Sequence, residues 1–408
     1  MSQKNQFVPT LRFSEFDKKW KIIPVSKLLK RVANSVNVCP KEMYREIGIR
    51  SHGKGVFHKA PVSGKDLGNK RVFHVVSGTL AFNIVFAWEH AVAELSKKEE
   101  GFIASHRFPM YKSVEGLGDI PFLRILFLRP RGKYLLGLAS PGGAGRNKTL
   151  GQKEFSELKV TVPQVEEQKK IAAFLGTIDK KIEQLQAKKY LLESYKDGCM
   201  QKLFSQELRF TSDNGASFPD WENYEIDKVF KHYKGYGLSK GAIAEEGQYP
   251  CVLYGELYTT YPEKISQIQS YTNEDSGTKS QKGDLLVPSS TTTSGIDLAN
   301  ITVLPIENVR IGGDITIMRP KKSLNELFYA YYLTHYKKHE IAKYAQGITI
   351  VHLYFNHFKK IKIDYPHPDE QKKIANFLSA IDDKISVVAE ELNKAKTFKK
   401  GLLQKMFV

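Results

Sequence analysis

The sequence predicts an α/β chain of two similar domains, each followed by a long helix, with the two helices pairing as an antiparallel coiled coil of pseudo-twofold symmetry. Three observations carry this reading. A segment of about forty residues is written twice at a constant offset of 203; its apolar positions follow a heptad in both copies; and the stretch ahead of each copy alternates short apolar runs with turn signals.

The first copy runs from Pro163 to Phe204 and the second from Pro366 to Phe407. Glu167-Gln168-Lys169-Lys170-Ile171-Ala172 returns as Glu370-Gln371-Lys372-Lys373-Ile374-Ala375, and Gln201-Lys202-Leu203-Phe204 returns as Gln404-Lys405-Met406-Phe407, so no insertion separates the ends. In the first copy Ile171, Leu175, Ile178, Ile182, Leu185, Leu192, Cys199 and Leu203 step by four and three, with Lys189 and Lys196 in the two remaining slots. In the second, Ile374, Leu378, Ile381, Ile385, Val388, Leu392, Ala395, Leu402 and Met406 fill the series, and Lys399 is its polar member. A stripe sustained over about five heptads argues for a coiled coil. Each helix extends roughly 55 Å, longer than a small domain is wide. The alternative buries each helix against its own domain's sheet; the narrow stripe, matched in the other copy, favours pairing of the two helices. With a whole domain between them in sequence, the simplest intramolecular pairing is antiparallel.

The repeats divide the chain into a first domain at 1–162, a central spacer helix at 163–205, a second domain at 206–365 and a C-terminal spacer helix at 366–408. Thr10-Leu11-Arg12-Phe13 at the first opening is echoed by Glu207-Leu208-Arg209-Phe210, and residues 16–20, ending in Trp20, by Phe218-Pro219-Asp220-Trp221. In the first domain, residues 71–76 and 79–86 flank Ser77-Gly78 and read as strands, residues 121–128 fit a helix or a strand, and residues 141–149 form a glycine-rich basic loop. Residues 155–163 give a short turn and a strand into the helix. In the second domain, residues 249–258, 282–288 and 314–320 read as strands, residues 325–339 as a helix, and residues 357–363 as the matching exit. The ends of the two domains are alike and their middles are not, which suits two recognition units in one frame.

Composition narrows the partner. With 41% hydrophobic and 11% aromatic residues over 408 positions, the chain is globular. Its net charge of +18 is uneven: 28 cations face 13 anions in residues 1–160, 8 face 6 in 161–204, and 26 face 25 in 205–408. The strongly basic first domain favours a polyanion, nucleic acid above all. There is no eighteen-residue apolar run and no signal-peptide core at the start, so the expected location is cytoplasmic, with no membrane partner. Cys39, Cys199 and Cys251 are scattered, as suits reduced thiols, and show no metal-ligand spacing.

Catalytic constellations do not assemble from the sequence. Gly142, Gly143 and Gly145 are followed by Arg146 where a phosphate-binding loop needs lysine, and His352 and His357 are five apart, off the spacing that shares a helix face. The expectation is therefore no catalytic residue, no metal and no cofactor bound by the chain itself. Nucleic-acid contacts need cations and hydroxyls for phosphates, and Arg, Lys, Asn or Gln for base edges. The candidates in the first domain are Arg45, Arg50, Lys54 and Lys59 around Ser51-His52-Gly53-Lys54-Gly55, together with Arg107, Arg146 and Lys148. In the second they are Lys234, Tyr236, Lys240, Thr291, Thr292 and Gln346. Any one of these is an ordinary solvated side chain; the groups carry the reading.

The repeated residues resemble the specificity subunits of Type I restriction-modification systems. Pro163, Glu167-Gln168, Ile171, Leu175, Ile178-Asp179 and Ile182 carry the likeness, with Pro366, Glu370-Gln371, Ile374, Leu378, Ile381-Asp382 and Ile385, and the openings that end in Trp20 and Trp221 agree with it. The likeness covers the whole chain in organisation. It implies two target-recognition domains, each reading one half of a split, asymmetric DNA site in the major groove, with the coiled coil as a ruler between them. It implies docking of two methyltransferase subunits and, in the full complex, of two ATP-dependent restriction subunits. S-adenosylmethionine, ATP and Mg would then belong to those partners, as would the adenine-flipping site. The competing readings are an RNA-binding or structural scaffold, for which the many tyrosines leave room, and a stand-alone nuclease, which would need a carboxylate cluster.

Overall fold

The computed structural model describes residues 7–142 and 148–408. Both long helices are uninterrupted, Val165–Phe204 with 40 residues and Pro368–Lys405 with 38. Each has carboxylates in its first turn, Glu166 and Glu167 or Asp369 and Glu370, and a lysine in its last, Lys202 or Lys405, the charge order a helix dipole favours. The chain divides into two compact units, Met1–Gln186 with Glu391–Val408, and Ala187–Glu390. Each helix therefore gives one end to each unit.

The first unit is closed by a pair of strands where the chain enters and leaves. Lys21–Pro24 runs antiparallel to Lys159–Val162, immediately ahead of the central helix. Beyond it lies an antiparallel sheet in the order Leu29–Val32, Met110–Ser113, Thr79–Phe82, Val92–Leu95. The helices Ile120–Leu128 and Pro130–Leu138 pack together, and the former lies against the sheet. The core joins Trp20, Phe82, Phe122, Phe127 and Phe155 to Phe407, whose ring stacks on Phe122 at 5.3 Å.

The second unit repeats this frame. Glu222–Glu225 pairs with Lys362–Tyr365, and a sheet runs in the order Phe230–Lys234, Ile315–Pro320, Asp284–Pro288, Thr302–Leu304. What is added to the frame differs. The first unit carries a hairpin of Ile47–Ile49 with Val56–His58 and a pair Val72–His74 with Ile103–Ser105. The second carries a sheet containing Tyr249–Val252, with one parallel pairing to Arg310–Ile311.

The helices run antiparallel to one another in both units. In the first, Ile171, Ala172 and Leu175 share a core with Leu402, Met406 and Phe407, and Lys399 donates to Asp179. In the second, Met200, Leu203 and Phe204 share a core with Ile374, Ala375 and Leu378, and Lys196 Nζ lies 2.7 Å from Asp382 Oδ1. These two ion pairs are the same pair seen through the repeat. Of the expected seam, Ile171, Leu175, Leu185, Ile374, Leu378, Ile381, Val388 and Leu392 are buried, while Ile178, Ile182, Leu192 and Ile385 are half-buried. Cys199 is also half-buried, and its neighbour Met200 takes the core position, because the end of the helix packs against the second unit's domain and no longer follows a two-helix seam.

Several local expectations change. The strand read at 79–86 ends at Phe82, because Phe86 N turns back to the Asn83 carbonyl. The stretch left open at 121–128 is helical: Asp119 caps it by accepting from Phe122 N at 3.0 Å, and Pro121 falls in the first turn, where a missing N–H costs nothing. The helix read at 325–339 is Glu326–Tyr331, a π turn at Tyr332–Tyr336, and then Lys338–Ala342. The strand read at 249–258 stops at Val252, and Glu256–Thr259 is a helical turn. Most of the glycine-rich loop at 141–149 lies outside the described residues.

Candidate nucleic-acid interface

In the first unit the hairpin sorts the candidate cations into a tip and a base. Gly48 faces Phe57 across it, and a Cβ on Gly48 would come within 2.2 Å of that ring, so glycine lets the aromatic side chain cross the strand. Phe57 in turn supports Arg50, whose guanidinium lies 4.8 Å from the ring centre. The tip turns through His52, Gly53 and Gly55, all with positive φ, and is tied down by His52 N to Glu89 O at 2.7 Å and Gly53 N to His90 O at 2.9 Å. The facing turn Ala87–Glu89 carries Trp88, 5.6 Å from Lys148 Nζ. Beside it, the Arg107 carbonyl accepts from Ile84 N and the Ile84 carbonyl from Leu150 N. Arg50, Lys54, Arg107 and Lys148 thus gather around residues 83–90, and Arg50, Lys54 and Arg107 are exposed.

Arg45 and Lys59 belong to the other end of the hairpin, about 10 Å away along strands of three residues. Arg45 lies over Phe102 at 4.5 Å, and Lys59 Nζ is 3.5 Å from Glu46, a buried carboxylate that also holds Lys70 at 2.9 Å. The charge of Lys59 is therefore partly offset. Arg146 lies outside the described residues.

In the second unit Lys234 ends an edge strand and sits 5.7 Å from the Tyr354 ring. It lines a polar cleft of about 360 Å³ with His232, Ser289, Tyr354, Asn356 and His357. His232 stacks on Phe355 at 4.4 Å; burial, then Lys359 and Lys234, hold its imidazole below the usual histidine range, so the neutral ring is favoured. His352 Nδ1 lies 2.9 Å from Ser290 Oγ and 3.1 Å from the Tyr354 hydroxyl, and its backbone pairs with Gln346. Gln346 and Thr292 are exposed near this cleft, Gln346 through His352 and Thr292 beside the strand pair Ser290–Thr291 and Val351–His352. Thr291 is not presented. It is buried, and its hydroxyl serves Thr293 N and Thr293 Oγ1 inside the loop. Lys240 lines a second cleft of about 640 Å³, which shares Asp314 with the first, and Tyr236 is 73% exposed.

Both faces are held by a joint that recurs in each unit. Glu167 is fully buried and accepts from Arg12 Nε at 2.8 Å, Arg12 Nη2 at 2.7 Å and Trp20 Nε1 at 3.2 Å. Glu370 accepts from Arg209 at 3.0 and 2.9 Å and from Trp221 at 2.9 Å. Gln168 accepts from Asp119 N and donates to the Leu117 and Pro163 carbonyls; Gln371 accepts from Asn325 N and donates to the Pro366 carbonyl. Asp119 and Asn325 are themselves N-caps of domain helices. The Glu-Gln pair therefore locks each long helix to its domain and does more than cap the helix. The paired openings around Arg12 and Arg209 were the sequence signal for this joint. Trp88, Phe57, Tyr354 and His232 had no comparable signal, since contacts between distant loops bring them to the surface.

Among the described residues no group of three or more His, Cys, Asp or Glu is placed to hold a metal ion, and no helix is long and apolar enough to cross a membrane. The profile of the family described as Type I restriction modification DNA specificity domain matches residues 84–194 and 219–397. Two curated relatives from Methanocaldococcus jannaschii are similar: the putative type I restriction enzyme MjaX specificity subunit, 26% identical over 269 residues, and the type I restriction enzyme MjaVIII specificity subunit, 25% identical over 269 residues. These alignments cover 64% and 62% of this chain but only 61% and 62% of the relatives. The S subunit of a Type-I restriction-modification system from M. genitalium shares the fold with a TM-score of 0.62 at 17% identity, covering 98% of this chain and 99% of that one. A chain from a structure addressing complex assembly and conformational transition of the type I R-M system aligns with a TM-score of 0.53 at 17% identity, covering 95% and 97%.

Proposed function

The chain belongs to the family of Type I restriction-modification DNA specificity domains, and from that premise we propose that it is the sequence-reading subunit of a Type I restriction-modification complex. Residues 1–162 and 206–365 act as its target-recognition domains, and residues 163–205 and 366–408 as its spacer helices. Each domain reads one half of a split, asymmetric duplex DNA site. The first uses Arg50, Lys54, Arg107 and Lys148 around the Trp88 turn, and the second uses Lys234, Thr292 and Gln346 around the Tyr354 cleft. Arg45, Lys59, Tyr236 and Lys240 flank these centres and contribute phosphate contacts.

The observation that carries this reading is one joint built twice, Arg12–Glu167–Trp20 and Arg209–Glu370–Trp221, beneath two surfaces with different side chains. A common frame with divergent faces is what two different half-sites require. The chain itself is non-catalytic and binds no cofactor. Two methyltransferase subunits dock on it and bring S-adenosylmethionine, two ATP-dependent restriction subunits bring ATP and Mg, and the complex works in the cytoplasm.

The test is to copurify the chain with methyltransferase subunits from its own operon and map the methylated adenines. A split motif is expected, with Lys54→Ala and Tyr354→Ala each weakening its methylation. A contiguous motif, or no methylation by a stable complex, would sink the reading.

A further inference from the structure

A groove of about 790 Å³ in the first unit lies between the helices Ile120–Leu128 and Pro130–Leu138 and the last turns of the C-terminal helix, and it adjoins the hairpin tip, since Leu128 lies beside Gly53 and the Arg129 carbonyl is 3.3 Å from His90 Nε2. Its apolar wall is made by Ile125, Leu128 and Leu403. Six cations, Arg124, Arg129, Arg131, Lys396, Lys399 and Lys400, make up most of the remaining lining. Lys399 is answered by Asp179, and Arg124 has Glu94 at 3.9 Å. Arg129, Arg131, Lys396 and Lys400 have no carboxylate within 4 Å among the described residues. Arg129 and Arg131 rest on the rings of Phe407 and Tyr134, at 4.4 and 5.1 Å. Burial acts against the Arg129 charge, and the Phe407 ring face partly offsets it.

The repeat supplies an internal control. At the positions of Lys396 and Lys400 the central helix has Glu193 and Asp197, while Lys399 corresponds to Lys196. The corresponding place in the second unit is a cleft of about 170 Å³ lined by Asp197, Met200, Gln201, Phe204, His335 and Tyr336. The shared frame therefore does not require the cationic groove, which exists in one copy.

We infer that this groove is a docking site for an acidic amphipathic helical segment of a partner protein, one per chain. Four unanswered cations call for an anionic occupant. A DNA backbone would supply charge but leave the Ile125, Leu128 and Leu403 wall facing sugar and water. A helix with apolar residues at i, i+4 and i+7 and carboxylates on both flanks satisfies wall and rim together. The inference does not depend on which DNA sequence is read.

The probe is a fluorescein-labelled synthetic helix of about sixteen residues with leucines at that spacing and flanking glutamates, titrated with the full chain by anisotropy. Its partner is the same peptide with glutamine for glutamate. The variant Lys396→Glu with Lys400→Asp installs the residues the central helix carries, so the helix tolerates them; Arg131→Glu, on an exposed domain position, is the second variant. The glutamate peptide should bind, and both the glutamine peptide and each variant should weaken binding about tenfold at low salt. Hydrogen exchange should show protection at 125–131 and 396–404 on binding. Absence of binding, equal binding of the glutamine peptide, or unchanged binding by both variants overturns the inference. So does loss of duplex DNA affinity in both variants with peptide affinity intact, which would assign the groove to phosphates.

Discussion

At the scale of single residues, the buried carboxylates organise the structure. Glu167 satisfies three donors at once, and removing it leaves the Arg12 guanidinium and the Trp20 N–H without an acceptor. Glu167→Ala should cost about 3 kcal/mol in urea denaturation, whereas the exposed neighbour change Glu166→Ala should stay within about 0.5 kcal/mol. Equal costs would show that the joint is not ionic. Glu263 gives a pH signature. Burial pushes its carboxyl upward, but the hydrogen bond with His335 and the charge of Lys196 outweigh burial and hold it down at about 2, against an ordinary 4.5. A folded value below the unfolded one adds stability that is complete above about pH 4.5 and is lost as pH falls toward 2. The acid limb of a denaturation series should therefore be shallower in Glu263→Gln. An identical slope in that variant would rule Glu263 out as its source.

At the scale of elements, the helix seam and the hairpin each pose a comparison. Lys196 and Lys399 occupy the same repeat position, yet Lys196 is buried and faces both Asp382 at 2.7 Å and Glu263 at 3.4 Å, while Lys399 is half-buried and faces Asp179. Lys196→Met removes the buried ammonium that faces Glu263 and Asp382, leaving His335 as the remaining partner of Glu263, and should cost about 3 kcal/mol; Lys399→Met should cost under about 1 kcal/mol. Urea midpoints of the two variants decide this, and a larger loss at Lys399 would contradict the assignment. In the hairpin, Lys54 is exposed at the tip and Lys59 is held by Glu46 at the base. Lys54→Ala should lower the salt slope of DNA binding by about 1 and weaken all sequences alike. Lys59→Ala should change the slope less, and the reverse order would move the DNA face to the base of the hairpin.

At the scale of the whole molecule, the two continuous helices are the only elements that belong to both units among the described residues. If they set the gap between half-sites, inserting one heptad in each lengthens the helices by about 10 Å, or about three base pairs. Methylation mapping should then return both half-sites intact with a longer gap, and an unchanged gap would remove the ruler from the mechanism. The uneven charge also matters at this scale. On the proposed reading the first domain attracts DNA with its general field, whereas the second, with 26 cations against 25 anions from residue 205 onward, would rely on the local placement of Lys234 and Lys240.

The sequence by itself determined the two-part plan, the two long helices and their antiparallel pairing, because these rest on periodicity and on repetition at a constant offset. It also pointed to the joint, since Arg12 and Arg209 recur in matched surroundings, though not to the bonds Glu167 and Glu370 make. Only the tertiary structure decided which cations share a face. Arg50 and Lys54 look like neighbours of Arg45 and Lys59 in sequence, but a hairpin places them at opposite ends. Thr291 looks as available as Thr292, but strand alternation turns its hydroxyl inward. Trp88 meets Lys148, and Lys234 meets Tyr354, across separations that no sequence period encodes. Surface chemistry of this kind depends on long-range packing, and the middles of the two domains, where the proposed DNA faces lie, are where the repeat offers no guide.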